Sequence, residues 1–364
     1  MRFRFELPSL YVRIKGSTDL PPPIEGVPTS ITAFVGPTTS GPVETPIGVT
    51  STAEYEQTFG DPDASDTGVS ARLFFDNGGR SAYVVRTDDP EAGLQALETV
   101  EGFNLLAVPG TAGLGEADAA QVAAAAATLC ERRRALYVVD PPGGLSAADV
   151  EAWSASLQAS ANAAVYFPGV QVDDPPGGLR DVPASGAVAG VIARIDEQRG
   201  VWKQPAGTDA DVRGITGLTT GVGEGDSERL NTAGVNVLRG FPGRGILVWG
   251  GRTLAPAGQP EWKYVSVRRL VLFIEESIDR GTRWAVFEPN DEPLWRAVRR
   301  SIESFLLHLF RQGALQAQTP DAAFFVRCDR TTMTQEDIDD GRLVCLVGIA
   351  PIRPAEFVVL RFEH

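Results

Sequence analysis

Residues 103–140 read FNLLAVPGTAGLGEADAAQVAAAAATLCERRRALYVVD, an apolar strand-like run, a helical pattern from Asp118 to Arg134, and a second apolar run. The order then repeats. A helix is opened by Ser146 with Asp149 three residues on, which is capping-box spacing. The third run is AAVYFPGV at 163–170, and a Gly/Pro loop leads from it to GAVAGVIARIDEQRG at 186–200. Successive strand and helix units of this kind predict an α/β body with a parallel-type sheet covered by helices.

Working outward, the last third has a different rhythm. ILVWG (246–250), YVSVRRLVLFI (264–274), FFVRCDR (324–330) and LVCLVGIA (343–350) read as strands, and a long helix runs from Pro293 to Gln312. This predicts an α+β body. The hexapeptide DPPGGL occurs at 140–145 and again at 174–179, read as a recurring turn.

The two ends alternate like strands. Phe3, Phe5 and Leu7, then Leu10, Val12 and Ile14, share a period of two, with Tyr11 and Arg13 on the other face. Arg2, Arg4, Arg13 and Lys15 oppose Glu6 alone, so this arm is basic on an acidic chain. The prolines of PPPIEGVP (21–28) predict a stiff spacer that holds it off the body. At the other end Val358, Leu360 and Phe362 alternate with Phe357, Val359 and Arg361. Terminal strands can pair with another molecule. The divisions read from the sequence are an arm at 1–25, an outer α/β domain at 26–235, an inner α+β domain at 236–350 and a closing strand arm at 351–364.

Composition narrows the function classes. The chain has 364 residues, 43% apolar and 22% charged, which is globular, and 39 Gly with 26 Pro predict many turns. A net charge of −14 without a concentrated basic domain argues against nucleic acid as a partner. The N-terminus lacks the continuous apolar core of a secretory signal, and the uncharged run Ala119 to Cys130 is too short and alanine-rich to span a bilayer. Cys130, Cys328 and Cys345 form no CxxC pair and leave an odd number, which fits thiols in a reducing cytoplasm and neither a zinc site nor a disulfide frame.

Enzyme chemistry finds little support. A Ser-His-Asp site needs an imidazole, and the only histidines are His308 and His364, both outside the middle α/β region. Gly110, Gly113 and Gly115 are spaced GxxGxG, which is neither the dinucleotide fingerprint nor a P-loop. The acidic run Gln335 to Asp340 lacks the ligand spacing of a calcium loop and reads as a turn and short helix. No catalytic, cofactor or metal residues are assigned.

Six segments together resemble the tail-sheath family of contractile phages, phage-tail-like bacteriocins and extracellular contractile injection systems. They are IEGVPTSITAFVG (24–36), FFDNGGRSAYVVR (74–86), PASGAVAGVIARIDEQRGVWKQPAG (183–207), NVLRGFPGRGILVWGGRTL (236–254), FEPNDEPLWRAVRRSIESFLLHLFRQGAL (287–315) and CDRTTMTQEDIDDGRLVCLVGIAPIRPAEFVV (328–359). The opening PSLYVRIKG departs from the family's PGVYVEE-like arm, with Arg13 and Lys15 in place of its acidic pair. The resemblance implies a subtilisin-like middle domain and a structural role in stacked six-subunit discs around an inner tube. Its partners would be the tube, baseplate and terminal cap proteins and other sheath isoforms, with arms exchanged between neighbours' sheets and no membrane insertion.

The long helix is where that implication meets a pattern. Leu294, Val298, Ile302, Phe305 and Leu309 form one apolar face. Opposite lie Arg296, Arg300 and Arg311 with Leu307 among them; a solvated basic face is one reading, and a tube-facing surface, which accounts better for Leu307, is the other.

Overall fold

The computed structural model describes residues 21–174 and 177–356. Strands β1 (Thr32–Gly36), β2 (Ile47–Val49), β3 (Ala82–Arg86), β4 (Leu105–Ala107), β5 (Leu136–Val139) and β6 (Ala163–Phe167) lead to the hairpin β7 (Val170–Asp174) and β8 (Gly178–Val182). After the short β9 (Gly217–Leu218) come β10 (Val235–Phe241) and β11 (Gly245–Val248), and β12 (Phe324–Arg327) and β13 (Leu346–Ile349) close the described chain.

Eight of these strands form one sheet in the order β11-β10-β6-β5-β4-β1-β3-β2, parallel except for the outermost strand at each edge. Both faces are covered. Phe34, Val84, Leu136 and Val138 meet helices α1 (Thr52–Phe59), α2 (Asp66–Asp76) and α6 (Ser185–Arg199). Ala33, Val35, Val85, Tyr137 and Val139 meet α3 (Pro90–Ala96), α4 (Glu116–Arg133), α5 (Ala147–Ser156) and α7 (Glu224–Thr232). Burial on both faces is why β4, β5 and β6 read as continuous apolar runs. The Ser146–Asp149 capping box forms as the spacing predicts.

Helices α2 and α6 approach closely because Gly186 faces the backbone of Ser70; a Cβ there would lie 2.2 Å from its carbonyl oxygen. The N-cap of α6 is Ala184, which cannot cap. Asp140, at the end of β5, takes over: its Oδ1 accepts from the Ser185 amide at 2.9 Å. The first DPPGGL therefore begins with a buried carboxylate that holds a distant helix, whereas the second begins at the tip of the β7–β8 hairpin.

A second core surrounds α8 (Val265–Gly281) and α9 (Glu292–Arg311), with the short α10 (Pro320–Ala323), the β12–β13 pair and α11 (Gln335–Asp339) against them. All five residues read as the apolar face of α9 are buried.

Four readings need correction. YVSVRRLVLFI is the first part of α8, with Val267, Leu270, Ile274 and Ser277 buried at helical spacing; its β-branched residues suit a strand, but packing against α9 selects the helix. The Gly/Pro loop before α6 is the β7–β8 hairpin, and AAVYFPGV supplies both β6 and the start of β7. The α/β sheet takes in β10 and β11, so it extends past the division drawn at residue 235. The proline spacer does not stand off: Ile24 is buried in the second core, the Pro22 carbonyl accepts from Ser301 Oγ at 3.1 Å and the Val27 amide donates to Ser277 Oγ at 3.1 Å.

Candidate functional site at the root of the carboxyl-terminal segment

The last described residue, Glu356, is the most heavily ligated carboxylate among the described residues. Arg252 Nε donates to Oε1 at 2.6 Å and Nη2 to Oε2 at 2.8 Å, a fork that fits a carboxylate. Lys263 Nζ and the Tyr264 hydroxyl donate to Oε2 at 3.0 and 3.1 Å. Burial alone would raise the Glu356 pKa, but the hydrogen bonds and charges of Arg252 and Lys263 outweigh it and bring it down to about 2.

The donors are set by the fold. Arg252 follows β11 and is fixed by Asn236 of β10, whose Oδ1 accepts the Arg252 amide at 2.6 Å, while Arg252 Nη1 donates to the Asn231 carbonyl of α7 at 2.7 Å. Tyr264 is the N-cap residue of α8. The clamp therefore fastens the end of the described chain to the α/β body. Glu356 itself lines an open cleft of about 1120 Å³ together with Trp202, Trp249, Arg239 and Arg353.

A second joint ties the two cores. Arg269 of α8 donates from Nη1 and Nη2 to Asp196 of α6 at 2.8 and 2.5 Å, and its Nη2 also reaches the Thr29 carbonyl at 2.8 Å. One residue earlier, Arg268 donates to Asn162 Oδ1 at 3.1 and 2.9 Å and stacks on Trp262. The Ser266 amide donates to Gln204 Oε1 at 3.1 Å, and Arg134 Nη1 donates to Glu276 Oε2 at 2.7 Å.

The residues expected to act in assembly fall into two groups. Phe3, Phe5, Leu10, Tyr11, Val12, Arg13 and Ile14, and Phe357, Val358, Val359, Leu360 and Phe362, lie outside the described residues. Arg296, Arg300 and Arg311 are exposed on α9, with Leu307 half-buried between them. Arg296 pairs with Glu292 at 3.6 Å, while Arg300 and Arg311 enter no ion pair among the described residues. His308 is exposed on the same helix, away from the α/β body. The Glu356 and Arg269 joints were missed. A double arginine inside an apolar run was the available signal for the second, because a buried charge requires a partner.

Comparison with known proteins follows this division. Residues 84–254 match the phage tail sheath protein central domain and residues 258–364 the phage tail sheath C-terminal domain. The chain belongs to the phage tail sheath family. It is similar to the helical sheath of the anti-feeding prophage in its contracted state (30% identity, 99% of both chains, TM-score 0.82). It is also similar to the contracted PVC sheath complex of an extracellular contractile injection system (29% identity, 100% of this chain and 98% of that one, TM-score 0.81). A putative prophage major tail sheath protein of Pseudomonas aeruginosa (strain UCBPP-PA14) is 29% identical over 79% of this chain and 71% of its own length. The chain spans only 26% of the length of the Vibrio phage KVP40 tail sheath protein, which is 27% identical over half of this chain.

Proposed function

We propose that the chain is the structural subunit of a contractile sheath, polymerising as stacked six-subunit rings around an inner tube and contracting to drive that tube through a target envelope. The similarity that carries this reading spans nearly the whole chain and includes sheaths solved in assembled form. Self-association is the primary interaction; the inner tube, baseplate and terminal cap proteins and other sheath isoforms are the further partners. The particle assembles in the producing cell's cytoplasm and belongs to a phage tail or an extracellular tail-like device.

The terminal segments act as exchanged strands on this reading. Support comes from β12 and β13, an antiparallel pair with no third strand along Phe324–Arg327 or Leu346–Ile349 among the described residues, and with Phe325 and Leu346 exposed. Two strands alone are marginal in water, and open edges accept further strands through backbone hydrogen bonds whatever the side chains. The Glu356 clamp holds the donor segment at its root. A subtilisin-like middle domain is supported by the mostly parallel, doubly covered sheet, and the role needs no catalytic residue or cofactor.

Negative-stain electron microscopy of the purified protein tests the reading. Hollow tubes or stacked rings are expected; a monodisperse monomer at high concentration across salt conditions would overturn it.

A further inference from the structure

The three cysteines are free, and two of them are not independent of one another. The β12–β13 register runs Phe324↔Ile349, Phe325↔Gly348, Val326↔Val347 and Arg327↔Leu346, and its next step sets Cys328 opposite Cys345. One step beyond the other end, the Ala350 amide donates to the Ala323 carbonyl at 2.8 Å, which makes that pair hydrogen-bonded. Because hydrogen-bonded and non-hydrogen-bonded pairs alternate along an antiparallel ladder, positions 328 and 345 form a non-hydrogen-bonded pair. Such pairs bring their Cα atoms to about 4.5 Å, inside the span a disulfide bridges without backbone movement.

We infer that Cys328 and Cys345 form a disulfide modification site, a cross-strand bond that closes when the folded subunit meets an oxidising small-molecule disulfide. Cys345 is partly exposed and Cys328 is buried behind it. The Cys345 thiol donates toward the Cys328 sulfur, which lowers the pKa of Cys328, with the Arg299 guanidinium adding to this, and raises that of Cys345. Cys130 stands apart, fully buried in the core beneath α4, where burial pushes its thiol pKa well up.

The chemistry balances as thiol–disulfide exchange. Cys345, the more accessible of the two thiols, passes its proton to the Cys328 sulfur, attacks one sulfur of oxidised glutathione and expels a glutathione thiolate, which takes the proton on from Cys328. The Cys328 thiolate then attacks the Cys345 sulfur of the mixed disulfide and expels the second. Two protein thiols are oxidised, one Cys328–Cys345 bond forms, the glutathione disulfide bond breaks, and the two released thiolates take up the two protons. The bond would fix the register of β12–β13, which on the sheath reading is the sheet that receives exchanged strands; its formation in the isolated subunit does not depend on that reading.

The test is incubation of the full-length, folded chain with oxidised glutathione, followed by thiol counting in denaturant, intact mass and non-reducing peptide mapping. Titratable thiols are expected to fall from three to one. The mass should fall by about 2 Da, the two hydrogens lost, with a peptide containing Cys328 joined to one containing Cys345. In Cys328→Ser, the glutathione adduct on Cys345 should persist because no resolving thiol remains. A stable glutathione adduct on Cys345 of the unsubstituted chain, or a 328–345 bond that forms only after unfolding in urea, would overturn the inference.

Discussion

Arg269 grips both carboxylate oxygens of Asp196 from a helix 73 positions further along the chain, and the two side chains are only 3% and 4% exposed. Thr29 completes the site by donating to Asp196 Oδ2 at 2.6 Å. Breaking a buried pair of this kind strands a charge, a loss of about 3–5 kcal/mol. Asp196→Ala should show a loss of that size in urea unfolding followed by circular dichroism. A loss below about 1 kcal/mol, the level of an exposed pair, would mean that the site is open to water.

Glu356 gives the carboxyl-terminal root an acid limit. Its pKa in the folded chain, about 2, lies below its ordinary value of 4.5. The clamp therefore contributes fully above pH 4.5, and its contribution is lost as the pH falls toward 2. The stability difference between the unsubstituted chain and Glu356→Gln should be constant from pH 5 to 8 and shrink on acidification. A difference that does not change with pH would contradict the clamp.

Asp140 predicts the opposite slope. Burial is the largest influence on it and raises its pKa from 3.8 to about 7, despite the opposing hydrogen bonds at the start of α6. Stability favours the neutral form below pH 3.8 and declines as the pH rises through 7. Asn keeps an acceptor for the Ser185 amide without a charge, so Asp140→Asn should match the unsubstituted chain near pH 4 and exceed it at pH 8 by on the order of 2 kcal/mol or more. Denaturation at the two pH values decides this.

The exposed face of α9 is tested by Arg296→Glu with Arg300→Glu. The apolar face is untouched and Arg296 has one exposed partner at 3.6 Å, so the free energy of unfolding should change by no more than about 1 kcal/mol. On the proposed reading, the double variant co-expressed with an inner tube protein should fail to build sheath. Extended sheath around tubes would remove the tube from this face.

Deleting residues 1–16, or ending the chain after Glu356, should leave a folded subunit that forms no tubes in electron micrographs. Each backbone hydrogen bond of an added strand is worth about 0.5–1.5 kcal/mol, so several are lost together. Ending the chain before Glu356 should also lower stability, because Arg252 then loses its carboxylate. Truncated chains that assemble like the full-length chain would refute strand exchange.

Legibility from sequence followed the range of the interactions. The βα pattern of residues 103–200 and the apolar face of α9 were visible because the pattern and the partner surface are both local. Residues 264–274 were ambiguous: apolar positions 265, 267, 270, 272 and 274 approximate a period of two almost as well as a helical one. The polar continuation to Gly281, with Ser277 buried, resolves it in favour of the helix. The Glu356 clamp had no local signal, since its donors lie 92 to 104 positions upstream. Asp140 was hidden in a turn motif whose second copy begins with the exposed Asp174 at a hairpin tip.

Helix α8 is fastened to the α/β body through Ser266, Arg268, Arg269 and Glu276. Ten residues of helix span about 15 Å, so these attachments, three in the first turn and one near the far end, act like rivets along a short beam. Bending or twisting one core against the other would break several of them at once, one an ion pair almost without access to water. On the proposed reading, a subunit built this way would move as a solid block. In a contracting assembly, the spring would lie in the joints between blocks and the released work would come from exchanging one set of block-to-block contacts for another.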